Sequence, residues 1–142
     1  SDPSINDLRD MARELGVSLS MLFRHSAAPA EEAGFVVRCA ARRPIGSKIE
    51  GLVEELLSPD LTDDFEMVHS TFAPGAAIEE AVMRPTQEVG YLLSGQLNIE
   101  IDGKTHIITP GDSFRIRGER FRWSNPYSDP AVAIWVIAPP VY

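Results

Sequence analysis

The chain changes its hydrophobic period near residue 34. In "SINDLRDMARELGVSLSMLF" (residues 4–23), Ile5, Leu8, Ala12 and Leu15 recur at helical spacing and Gly16 follows as a stop. Ser4, with Asp7 three residues on, reads as an N-cap. Ser18 opens a second short helix carrying Leu19, Leu22 and Phe23. Two helices this short bury too little apolar surface to stand alone, so the pattern predicts that they pack on a partner. Residues 24–33, "RHSAAPAEEA", are small, polar and charged, which is linker composition. His25, at the edge of that linker, reads as a solvated end-of-helix residue.

Beyond the linker the period becomes two. The segments "FVVRCAA", "FEMVHSTF", "VGYLLSG", "QLNIEID", "THIIT", "SFRIR", "RFRWSN" and "AVAIWVIA" are short and rich in β-branched or aromatic residues. Pro74-Gly75, Ser94-Gly95, Asp102-Gly103, Pro110-Gly111, Asn125-Pro126 and Asp129-Pro130 punctuate them. Asp102-Gly103, between two alternating runs, signals a two-residue hairpin. Many short strands at such spacing predict an antiparallel sandwich or barrel. The expected organisation is a helical segment over 1–23, a linker over 24–33 and a mostly β domain over 34–142.

Composition narrows the function classes. A length of 142 residues suits one domain with a short appendage. A formal net charge of −8 argues against phosphate-backbone binding, which needs clustered Lys and Arg. The single cysteine, Cys39, sits in the apolar run Phe35–Ala40 and reads as a small buried strand residue. With no internal disulfide possible, a reducing cytoplasm is the natural location. No apolar run approaches the ~18 residues of a membrane span, and the polar opening lacks signal-peptide order. No membrane association is expected.

Two stretches carry a family resemblance. The order Pro3-Ser4-Ile5 and then "LRDMARELGVSLSMLF" resembles the last two helices of a lambda-repressor-like, XRE-type helix-turn-helix domain. In that family the recognition helix comes earlier in the chain and enters the major groove. The resemblance therefore implies that DNA is contacted only through helices that precede Ser1, and that the chain as given does not bind DNA specifically.

The second stretch is "GAAIEEAVMRPTQEVGYLLSG", residues 75–95. It resembles the first motif of the cupins, small jelly-roll barrels with an internal cup, and most of all the cupin domains that follow a helix-turn-helix in bacterial regulators. That motif runs glycine, five residues, His-x-His, three or four residues, Glu, six residues, Gly. Gly75, Glu88 and Gly95 fall in register, with Ala81 and Met83 in the two histidine positions. The second motif, "GDSFRIRGERFRWSNP" from Gly111, has Phe121 where its histidine belongs and Arg117 in place of its proline. The implied fold is a cupin-type antiparallel jelly-roll barrel preceded by a short two-helix remnant.

The resemblance implies a metal in such a cup, and these residues do not supply one. Alanine and phenylalanine offer no donor, and a thioether is a poor ligand for the divalent ions such sites hold. His69 alternates with Met67 and Thr71, and His106 sits beside a hairpin, so they are not expected to converge on Glu88. The expectation is no metal and no cofactor. What remains is an apolar cup suited to a small organic effector. Phe121 and Trp123 share a face by alternation, and the motif match turns Met83 to the same interior. Met83, Glu88, Phe121 and Trp123 are therefore the expected ligand-binding residues; the alternative is that the aromatics simply fill the barrel and Glu88 makes an internal salt bridge. A carboxylate there needs a partner, and Arg84, Arg115 and Arg117 are the candidates, as is a cationic or amide-bearing ligand.

The expected function is an effector-sensing and dimerisation domain of a transcriptional regulator. Pairing of barrels, and a two-copy DNA-reading head, make a homodimer the expected assembly. The competing reading is a cupin enzyme of the dioxygenase or isomerase class. The missing histidines, and the lack of any Ser-His-Asp or Cys-His constellation, favour a non-enzyme.

Overall fold

The computed structural model describes residues 29–141 throughout, and Ser4, Asp7, Asp10, Met11, Arg13 and Glu14 before them. Asp7, Asp10, Met11, Arg13 and Glu14 are helical. The Asp7 amide donates to Ser4 Oγ at 3.2 Å, and the Ser4 amide donates to Asp7 Oδ2 at 3.3 Å. This is the reciprocal cap that the sequence signals, with Asp in place of the usual Glu or Gln. The second short helix, expected over 18–23, and His25 lie outside the described residues.

Nine strands follow a 3-10 turn over Cys39–Ala41: β1 Arg43–Ile45, β2 Leu52–Leu56, β3 Glu66–Phe72, β4 Gln87–Ser94, β5 Leu97–Ile101, β6 Lys104–Ile108, β7 Ser113–Arg117, β8 Phe121–Ser124 and β9 Ala131–Ala138. They form a large sheet in the order β1-β2-β3-β9-β4-β7 and a small one in the order β6-β5-β8, antiparallel throughout. The cupin-like antiparallel architecture is as expected.

Residues 76–82 run beside β8 as an irregular margin of the small sheet. Isolated bridges Ala77↔Ser124 and Val82↔Phe121 mark it. Asp102 (φ 49°) and Gly103 (φ 82°) make the β5–β6 hairpin with two left-handed residues, as a type I′ turn requires. At Gly95 a Cβ would stand 2.3 Å from the Pro130 carbonyl oxygen, so only glycine fits this close crossing.

Two expectations fail near the start of the domain. "FVVRCAA" is not a strand: it passes through a turn and a 3-10 segment, leaving Phe35 80% exposed and Cys39 exposed. Glu32 and Arg38, joined by a two-bond pair, stabilise that turn instead. The strand β2, absent from the expected set, pairs with β3 along its whole length. Its inward residues are Leu52, Glu54 and Leu56, so a buried carboxylate interrupts the apolar alternation.

The core lies between the sheets. From the large sheet come Leu56, Val68, Phe72, Leu92, Ile116, Ala131, Ala133, Trp135 and Ile137; from the small sheet come Leu97, Ile99, Ile108, Phe121 and Trp123. Phe72 meets Trp123 edge to face across the gap, with ring centroids 4.6 Å apart.

Candidate functional site

The register of the large sheet sorts its inward residues into rows. One row reads Glu66, Ile137, Glu88, Ile116 across β3, β9, β4 and β7. The next reads Val68, Trp135, Gly90, Phe114. The glycine at position 90 leaves room for the Phe114 ring, whose tip would lie 2.2 Å from a Cβ there. That ring crosses the strand to meet Trp135 edge to face at 5.1 Å. A further row holds Glu54, Ser70, Ala133 and Leu92, with Ser70 Oγ donating to Glu54 Oε2 at 3.0 Å. Three carboxylates, Glu54, Glu66 and Glu88, are thus buried on the inward face of the large sheet.

Glu88 is the one at the expected site. It is 1% exposed, and its oxygens accept from three donors. Arg84 Nε reaches Oε2 at 3.1 Å and an Arg84 terminal nitrogen reaches Oε1 at 2.5 Å. Thr86 Oγ1 donates to Oε2 at 2.7 Å. The guanidinium is thus forked across both oxygens, the geometry in which arginine binds a carboxylate most strongly. The same guanidinium carbon stands 5.5 Å from the centroid of the Phe121 ring. Arg84 is 30% exposed, so its head covers the carboxylate while part of the side chain meets solvent.

Of the residues expected in the cup, Glu88, Phe121 and Trp123 are buried and inward. Met83 is not: it is 62% exposed. The inward orientation expected for it assumed regular strand alternation. Residues 83–86 follow the isolated Val82 bridge outside any strand, so alternation does not carry through them. Among the three candidate arginines, Arg84 reaches Glu88, whereas Arg115 and Arg117 are exposed on β7. Tyr91 is exposed on β4 and Trp135 is buried core.

Thr86 and the interior Glu54 and Glu66 escaped sequence reasoning. Strand alternation held the signal for Glu66, which is in phase with Val68, Ser70 and Phe72.

The donor set does not fit a cupin metal ion. Ala81, Met83 and Phe121, at the positions that the motif resemblance gives to histidine ligands, offer no imidazole, and Glu88 is taken by Arg84 and Thr86. His69 is on β3 in phase with exposed Met67, and His106 is exposed on the edge strand β6. Among the described residues no group of three or more His, Cys, Asp or Glu side chains is placed to hold a metal.

The outside of the small sheet differs in character. A groove of about 260 Å³ there is lined by Glu79, Asn98, Glu100, Thr105, Arg122 and Ser124, among others. Arg122 bridges it, pairing with the Glu100 carboxylate and donating to the Glu79 carbonyl oxygen at 3.0 Å. Elsewhere on the surface, side-chain bonds from Arg38 lower the Glu32 pKa, and backbone donation from Thr109 lowers that of Asp112. No helix among the described residues is long and apolar enough to cross a membrane.

Comparison with known proteins agrees with this fold. Residues 68–137 match the family model described as "Cupin domain". The chain is 26% identical over 117 residues to the HTH-type transcriptional regulator PuuR of Escherichia coli, covering 80% of this chain and 60% of that protein. It thus spans under two thirds of the length of the curated relatives it matches. The Cupin_2 domain of an XRE family transcriptional regulator from Enterobacter cloacae superposes with a TM-score of 0.56 at 26% identity, covering 64% of this chain and 99% of that one. The polyketide cyclase RemF from Streptomyces resistomycificus shares the fold (TM-score 0.64, 17% identity, 73% of this chain and 78% of that one).

Proposed function

We propose that this chain is the effector-sensing and dimerisation part of a DNA-binding transcriptional regulator, working in the cytoplasm as a homodimer. DNA contact belongs to a helix-turn-helix of which residues 1–23 are the last part, joined through a linker over 24–33. The sensing site is the cup of the 34–142 domain. It is metal-free and takes a small organic effector against Glu88, Phe121 and Trp123, with Met83 a rim residue beside the Arg84 loop. The domain is not an enzyme.

The observation that carries the site is the buried Glu88 carboxylate, held by an arginine from an irregular segment rather than from the sheet. A charge inside an apolar chamber costs stability unless it is paired. Its partner comes from the part of the chamber wall that no ladder fixes, so pairing and wall position are linked. Similarity to two regulators supports the regulatory context. An effector acts only if it binds one arrangement of that wall more tightly than the other.

Native mass spectrometry of the full-length protein from its own host tests this reading. A dimer carrying one organic molecule per chain, lost in Glu88→Gln, is expected. A stoichiometric transition metal, or metal-dependent turnover, contradicts it.

A further inference from the structure

We infer that Arg84 is a built-in occupant of a guanidinium site, and that the cup takes a ligand bearing a planar cation, a guanidinium or an amidinium, in its place. The inference deepens the sensor reading by naming the ligand's chemistry. Its test reads neither DNA binding nor dimerisation, so its failure and that of the regulatory reading are distinguishable.

Three features of the clamp define the class. The first is charge. Glu88 has a fully buried side chain, and Arg84 is the cation forked across it. A neutral or anionic ligand that pushed Arg84 aside would strand a buried charge, which is strongly unfavourable. A cation replaces like with like. The second is shape. Arg84 presents two N–H groups side by side to the two carboxylate oxygens, a planar fork that an ammonium cannot reproduce. The third is the platform. The guanidinium carbon stands over the Phe121 ring at 5.5 Å, so the place it vacates already has an aromatic surface for a flat cation.

The exchange is also permitted by the backbone. Val82 is tied to Phe121 by paired backbone bonds of 2.7 and 2.8 Å, and β4 begins at Gln87. Between them, residues 83–86 belong to no strand. Arg84 is already 30% exposed, so its released head reaches water without crossing the core. Thr86 Oγ1 stays on Glu88 and orients it for the incoming group. Binding therefore frees residues 83–85, which turns occupancy into a change at the rim.

An arginine tethered four residues away competes at an effective concentration of order mM. Wild type must then bind a free guanidinium far more weakly than a variant lacking Arg84.

The test is thermal unfolding of the 142-residue chain with methylguanidinium chloride at low mM, against sodium chloride of equal ionic strength. Arg84→Ala is expected to unfold below wild type and to be partly restored by methylguanidinium. The gain should be about 4 °C once the probe exceeds its Kd tenfold. Wild type should shift by less than a quarter of that at the same concentration. Methylammonium should need at least tenfold more, and Arg84→Ala/Glu88→Gln should not respond. No response of Arg84→Ala, an equal response of the double variant, or equal potency of methylammonium overturns the proposal. If Arg84→Ala does not fold, the wild-type Arg84 Nε–H resonance decides. Its hydrogen exchange should accelerate as methylguanidinium is titrated, and unchanged exchange at saturating probe overturns the proposal.

Discussion

The two faces of β8 carry the same kind of ion pair in opposite settings. Inside, Phe121 lies under the Arg84 guanidinium that holds Glu88, whose side chain has no exposed surface. Outside, Arg122 holds Glu100 with side chains 47% and 23% exposed, beside an open polar groove. Water screens the outer pair and stands ready to replace either partner, so its worth is about 0–1 kcal/mol. The inner pair has no such substitute: removing the arginine leaves a carboxylate with nothing equivalent to turn to. Burial, rather than the pairing itself, makes the Glu88 charge costly to leave without a partner.

Substitutions on either face can break or sharpen this contrast. Phe121→Ala removes both the wall and the platform under Arg84 and should cost about 3–5 kcal/mol in urea unfolding. Arg84→Ala should cost about 3 kcal/mol, at the low end for a broken buried pair because its rim is wet. Arg122→Ala should cost less than about 1 kcal/mol, most of it lost in 0.5 M salt, while the Arg84→Ala penalty persists there. Replacing both inner partners, in Arg84→Met/Glu88→Leu, should return stability to within roughly 1 kcal/mol of wild type, since a well-packed apolar pair spares both desolvations. A double variant as unstable as Arg84→Ala would break the contrast.

How far the sequence reveals this site depends on regularity. Where strands are regular, alternation and turn chemistry suffice: Asp102-Gly103 makes its hairpin, and Phe121 and Trp123 face inward together. Glu88 could be placed because the glycines around it fix its spacing in the motif. Where the backbone leaves the ladder, alternation has no hold. Met83 points outward from such a segment, and Arg84, one residue on, turns back to the cup. The β2 strand escaped notice because Glu54 interrupts its apolar face, a polar choice that makes sense once Ser70 on the neighbouring strand donates to it. "FVVRCAA" has strand composition, yet the Glu32–Arg38 pair belongs to a turn there. That pair joins residues six apart, and composition carries no sign of it.

The most direct measurement is a pair of double-mutant cycles, Arg84→Ala with Glu88→Gln and Arg122→Ala with Glu100→Gln, each read by urea unfolding. The inner cycle should give a coupling of about 2 kcal/mol or more, and the outer cycle less than about 0.5 kcal/mol. Equal couplings on the two faces would contradict the claim that the cup holds its arginine as an occupant of a buried charge site.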